Sequence, residues 1–160
     1  MITDEFIDKL INEGKIISKP PKKDFIIENM NMRNDFELTS LDGTKIFSTF
    51  IRVHSEFKEN FSIGLTYHPT DHPSFIVTRC QGPHGDVVEN PLKPIPHFGY
   101  HIHKITSAEL EQGVTDPKFS RLSTEYASYE QALSYFCRYI NILDAEKYFP
   151  NIHQLGLFPQ

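Results

Sequence analysis

The chain has 160 residues, a length that fits a single domain. Lys and Arg number 16 and Asp and Glu number 21, so the formal net charge is −5. That balance argues against a protein that coats a nucleic-acid backbone by long-range charge, although it allows one short cationic site. No apolar run reaches the ~18–20 residues of a membrane span, and the N-terminus lacks the basic-then-apolar order of a signal peptide. The sequence therefore predicts a cytoplasmic protein with no membrane partner.

The two cysteines, Cys80 and Cys137, do not form a Cys-x-x-Cys pair. In a chain with no export signal, we expect them to be free thiols in a reducing compartment. A cysteine-based zinc site is therefore excluded.

The N-terminal segment, residues 1–14, has the pattern of a short amphipathic helix. Thr3 can accept from the free amides of the first turn, and an apolar stripe follows at helical spacing. Residues 15–24 are predicted to be a linker, because Pro20-Pro21 between lysines resists both helix and strand. The helix is therefore expected to be tethered to the body rather than integral to its core.

The β core is predicted over residues 25–105, with about five strands between residues ~34 and 105. Apolar and polar residues alternate in each of these strands, and Asp42-Gly43 supplies a hairpin turn. Residues 106–160 are predicted to be a helical C-terminal part, in which Ser128 and Gln131 have the spacing of a capping box before a helix. The predicted fold class is α+β in one domain, 1–160: an antiparallel sheet or partial barrel flanked by an N-terminal and a C-terminal helix.

Histidine is the residue type that points most directly to chemistry. Six of the eight histidines lie in one short stretch of the chain: His68, His72, His84, His97, His101 and His103. Strand side chains alternate, so His101 and His103 should share one face of their strand, ~7 Å apart, while Tyr100 and Ile102 take the other. Such a pair can supply two imidazoles to one divalent metal or to one phosphate, and both alternatives stay open.

Arg79 ends the preceding strand, and His84 follows it in the loop. With His101 and His103 across the sheet, these residues predict a His/Arg site for a phosphodiester. One imidazole would act as general base and another as general acid, while Arg79 stabilised the pentavalent charge. The structural alternative is that the histidines satisfy buried hydrogen bonds and that Arg79 pairs with an acidic residue such as Glu37.

At these residues the chain resembles a family of small, uncharacterised bacterial proteins. The shared motifs are an F-x-L-x-S-x-D-G hairpin, an arginine strand leading to G-P-x-H, an H-x-H pair and a C-terminal helix. They correspond here to Phe36–Gly43, Arg79 with Gly82-Pro83-His84, His101-Ile102-His103, and Phe136–Ile142. The resemblance covers residues 30–145 and implies a fold-sized unit with candidate residues, not a reaction. The loop after His84 departs from the family's N-P-D-G pattern.

Two functions from different classes are expected. The first is a metal-independent ribonuclease or phosphodiesterase of toxin or defence type, with Arg79, His84, His101 and His103 as its catalytic residues and RNA or a phosphate-containing ligand as its partner. No cofactor is required, although a divalent metal at His101 and His103 stays open. The second is a non-catalytic module, such as an antitoxin, inhibitor or phage-defence accessory protein, that binds another protein. Histidines converging in a cleft favour the first function, and scattered, hydrogen-bonded histidines favour the second.

Overall fold

A computed structural model describes residues 1–83 and 99–150 of the chain. Its helices and strands follow one another in this order: α1 (Asp4–Asn12), β1 (Lys15–Lys19), β2 (Ile26–Glu28), β3 (Asn31–Ser40), β4 (Ile46–His54), β5 (Phe61–Tyr67), β6 (Phe75–Gln81), β7 (His101–Lys104), α2 (Ser107–Glu111), β8 (Ser120–Leu122), α3 (Tyr129–Tyr139) and α4 (Ala145–Tyr148). Within the described residues, eight strands form one antiparallel sheet in the order β1-β3-β4-β5-β6-β7-β8, and β2 also pairs with β3. The predicted α+β class, with an antiparallel sheet and a helix towards each end, is confirmed.

Three strands were not expected from the sequence: β1, β2 and β8. The linker prediction for residues 15–24 is wrong over Lys15–Lys19, because this segment pairs with β3 and buries Ile17. Only the part after Lys19, which holds Pro20-Pro21, leaves the sheet before β2 begins.

The helix α1 is integral to the core, contrary to the expectation of a tethered helix. Thr3 caps it as predicted, since its side chain accepts from the Phe6 amide. Its apolar stripe buries Ile7, Leu10 and Ile11 in the same cluster as the sheet residues. The stripe therefore packs on the sheet, and loss of α1 would expose part of the main core.

One face of the sheet carries the core, and α1 and α3 pack against it. The residues of β3 to β7 that point to this face include the buried polar Asn34, Thr49 and Thr78, but most are apolar and almost fully buried: Phe36, Leu38, Phe47, Ile51, Val53, Phe61, Ile63, Leu65, Phe75, Val77, Cys80 and Ile102. The helix α3 begins at the predicted cap, where the Ser128 side chain accepts from the Gln131 amide.

The opposite face of the sheet, called the polar face below, follows from the strand register. It carries these residues of β3 to β7: Arg33, Asp35, Glu37, Ser48, Phe50, Arg52, Ser62, Gly64, Thr66, Arg79, Gln81, His101 and His103. Side chains on neighbouring strands stand opposite each other there, as Arg33 does to Arg52 and Arg79 to His103. All the candidate residues that the structure describes lie on this face.

Candidate functional site

Three of the four predicted site residues come together on the polar face. Arg79 on β6 is the cross-strand partner of His103 on β7, and Gln81 is the partner of His101. The rings of His101 and His103 lie edge to face with their centroids 5.1 Å apart. The fourth residue, His84, lies outside the described residues.

Hydrogen bonds hold the His101 ring in place. Its Nδ1–H donates to the Gly99 carbonyl at 2.8 Å, and its Nε2 lies 3.1 Å from the side-chain amide oxygen of Gln81. The Gln81 amide in turn donates to Ser62 Oγ at 3.3 Å. Both residues are buried: the exposed fraction is 0% for His101 and 3% for His103. The His101 imidazole therefore belongs to a buried polar network, and His103 is buried beside it.

Arg79 is neutralised by residues that precede β8. Its Nη2 lies 3.0 Å from the Asp116 carboxylate and donates to the Pro117 carbonyl at 3.1 Å. The acidic partner is thus Asp116 and not Glu37. Burial lowers the pKa of Arg79, while the charge of Asp116 opposes that shift; a guanidinium stays charged at neutral pH in either case. A phosphate at Arg79 would have to compete with Asp116 for the guanidinium.

The described residues also bear on the metal alternative. Among them, no group of three or more His, Cys, Asp and Glu side chains is placed to hold a metal ion. Within the pair itself, the His101 ring is already committed to Gly99 and Gln81. A divalent ion between His101 and His103 would have to displace those contacts.

A second feature of the polar face is a groove that the sequence did not reveal. Its volume is about 590 Å³, and it runs over β3 and β4 beside the segment that connects β1 to β2. The lining of this β3–β4 groove includes four cations, two carboxylates, the Phe50 ring and the Ser48 hydroxyl; the charged residues are Lys19, Lys22, Arg33, Arg52, Asp35 and Glu37. The cations outnumber the carboxylates of the lining, so the groove is a short cationic site on an acidic protein, although Arg33 pairs with Glu28 at 3.4 Å and Arg52 with Asp35.

Specific contacts hold the groove in shape. The Asn34 side chain accepts from the Lys22 amide at 3.0 Å and donates to the Lys22 carbonyl at 2.8 Å, which fixes the connecting segment. Arg52 lies 2.7 Å from Asp35, and its guanidinium stands 5.6 Å from the centre of the Phe50 ring. The alternation of β3 and β4 could have placed Arg33 and Arg52 on one face. Nothing in the sequence linked them to Lys19 and Lys22.

Comparison of the chain with protein-family models, with curated proteins and with solved structures finds no match in any of the three. The resemblance drawn from the short motifs therefore stays a prediction. In the described part of the chain, no helix is both long and apolar enough to cross a membrane.

Proposed function

We propose that this protein binds a phosphodiester chain, single-stranded RNA, on the polar face of its sheet. The observation that carries the proposal is the β3–β4 groove, which is lined by four Lys and Arg side chains and by the half-buried ring of Phe50. Cationic grooves with aromatic platforms are how proteins bind single-stranded nucleic acid with little sequence preference.

The size and charge of the groove fit this ligand. Small-molecule sites occupy ~300–1,000 Å³, so about 590 Å³ accommodates a nucleotide and part of its neighbour. Arg33 and Arg52 can each bind a phosphate through a planar guanidinium, while Lys19 and Lys22 act as point charges. The net charge of −5 is consistent with a footprint of a few phosphates rather than a long duplex.

Anisotropy of a fluorescent oligouridine, titrated with the full chain at several salt concentrations, tests the proposal. Arg33→Ala and Lys22→Ala should each weaken binding and lower the slope of log K against log[salt] by about 1. Lys147→Ala on α4 is the matched control and should leave the binding curve unchanged. If the folded wild-type protein binds no oligouridine, the proposal is wrong, and the protein-binding module takes its place.

A second candidate function is cleavage of the bound RNA by Arg79, His84, His101 and His103. The observation in its favour is that Arg79, His101 and His103 lie together on the same face as the groove. One imidazole would take the proton of a ribose 2′-hydroxyl while the other protonated the departing 5′-oxygen, leaving a cyclic phosphate. Both rings must contact the RNA for this step, and their burial opposes it.

Cleavage has its own test, separate from binding. An end-labelled RNA should give cyclic-phosphate products with a bell-shaped pH dependence, and a DNA of the same sequence should stay intact. His101→Ala should abolish the products, whereas His72→Ala should not change them. A folded protein that binds RNA and yields no products would overturn the cleavage function alone.

A further inference from the structure

A second histidine site lies at another position on the polar face, formed by Ser48, His68 and Ser74. Ser48 Oγ lies 2.7 Å from His68 Nε2, and His68 Nδ1 lies 2.7 Å from Ser74 Oγ. Both ring nitrogens of His68 are thus bonded to hydroxyl groups. No sequence motif indicated this arrangement, because the three residues come from three different parts of the chain.

The sheet register brings these residues together. Ser48 on β4 stands opposite Thr66 on β5, and His68 lies two residues after Thr66 on the same side. The His68 amide donates to the Ile46 carbonyl at 3.0 Å, which continues the ladder past the end of β5. Ser74, just before β6, then reaches the far side of the ring.

This geometry matches the general pattern of an activated nucleophile. A hydroxyl lies within hydrogen-bond reach of an imidazole, which a third group orients. Serine hydroxyls both donate and accept, so the two bonds suit either neutral tautomer of the ring. With the proton on Nδ1 and donated to Ser74, Nε2 has a free electron pair for the Ser48 proton, the state that a general base requires.

Ser48 also lies where a ligand can reach it. It lines the β3–β4 groove and is half-buried rather than enclosed. The cross-strand partner of Ser48 is Glu37, so the four Lys and Arg side chains of the groove must outweigh this carboxylate to favour the oxyanion that forms when a hydroxyl attacks a carbonyl. The nucleophile, its base and a space for the substrate therefore occur in one place.

We propose that Ser48 is a nucleophile, activated by His68 and oriented through Ser74, that acts on small carboxylic esters bearing an anionic group. Ser48 Oγ attacks the ester carbonyl and passes its proton to His68 Nε2. The tetrahedral intermediate collapses, the C–O bond to the alcohol breaks, and the alcohol leaves with that proton. Water, deprotonated by His68, then hydrolyses the acyl-serine to a carboxylic acid and restores Ser48. This inference does not depend on RNA binding.

Labelling with a fluorophosphonate probe is the direct test, because Ser48 Oγ would displace fluoride from phosphorus and keep the phosphonyl group. Peptide mapping of the folded full chain should find the label on Ser48. Ser48→Ala should abolish labelling, and Ser55→Ala in an exposed turn is the matched control that should label normally. Labelling of heat-unfolded protein should be absent, since the activation depends on the fold.

The role of His68 is tested by rate and by rescue. His68→Ala should slow labelling by about 10²-fold or more, the usual contribution of a general base. Added imidazole should restore part of that rate, which a merely structural histidine would not allow. A burst of one nitrophenolate per chain from the mono-p-nitrophenyl ester of succinic acid, which carries an anionic group, should accompany the labelling and be lost in Ser48→Ala. If Ser48 stays unlabelled in the folded protein, or if His68→Ala labels at the wild-type rate, the proposal is overturned.

Discussion

The phenyl ring of Phe50 lies so close to Gly64 that a Cβ atom on Gly64 would come within 2.2 Å of the ring's Cζ. The two residues are cross-strand partners on β4 and β5. Because Gly64 has no side chain, the ring can lie against the backbone of β5 while Arg52 stands over it. The platform that we propose for an RNA base thus depends on a glycine one strand away.

Gly64→Ala should displace the Phe50 ring. We expect a loss of about 1–3 kcal/mol in the free energy of unfolding, the usual cost of overpacking, together with weaker oligouridine binding. In a Phe50→Ala background the same change should cost close to nothing, because the atoms that clash are gone. Urea unfolding of the four proteins in this cycle measures the coupling, and additive effects would contradict the explanation.

The free energy of unfolding of Gly82→Ala provides a comparison with that of Gly64→Ala. A Cβ on Gly82 would stand 1.7 Å from the backbone oxygen of Glu59, which cannot rotate away as a ring can. It should therefore destabilise the protein more than Gly64→Ala.

Lys15 is fully buried and joins two helix ends. Its ammonium donates to the carbonyls of Ile11, Glu13 and Ile140 at 2.8–3.0 Å, so it serves the C-terminal ends of both α1 and α3. Burial lowers the pKa of Lys15 to about 8, so the amine keeps its proton at neutral pH.

Lys15→Met should therefore destabilise the protein at pH 7 by about 2–3 kcal/mol, since buried carbonyls lose their donor. Thermal or urea unfolding measures the loss. Lys9→Met on the exposed side of α1 is the matched control and should change stability by less than ~0.5 kcal/mol. Equal effects of the two substitutions would show that Lys15 is not a structural cap.

The sequence predicted the strands that alternate clearly and missed those that do not. The five predicted strands correspond to β3–β7; burial alternates with period two most clearly in β3 and β4, and Asp42-Gly43 marks the turn between them. The strand β2 exposes all of Ile26, Ile27 and Glu28, so no periodicity identifies it. Lys15 looked like part of a solvated linker, because its carbonyl partners come from elements that only the tertiary fold brings together.

The same limit applies to the candidate site. Alternation alone placed His101 and His103 on one face, and the register confirms this. Their burial could not be predicted, because alternation gives the face of a side chain and not what covers it. The Ser48–His68–Ser74 contact could not be predicted from the sequence either, since it depends on how the segment after β5 turns back.

Because of Asp42, the stability of the turn between β3 and β4 should depend on pH. Its carboxylate accepts from Ser40 Oγ and from the amide and hydroxyl of Thr44, and these bonds hold the pKa of Asp42 below its usual 3.8. A carboxyl whose folded pKa is lowered contributes stability above its unfolded pKa and loses it as the pH falls. Chemical denaturation should therefore show that Asp42→Asn loses less stability than wild type between pH 4 and ~2. Asp71→Asn, at an exposed position in another turn, should follow the wild-type profile.

Cys80 and Cys137 should report on opening of the core. Both side chains are buried, with 0% and 3% exposed, and burial raises the pKa of each thiol, that of Cys137 to about 12. Because only the thiolate attacks a disulfide reagent, neither thiol should react with 5,5′-dithiobis(2-nitrobenzoate) at neutral pH while the protein stays folded. Both should react in urea at the concentration that unfolds the chain, and Lys15→Met should raise the native-state rate by the same factor as it raises the unfolded population. A thiol that reacts rapidly in the folded wild type would show that α3 opens from the sheet without global unfolding.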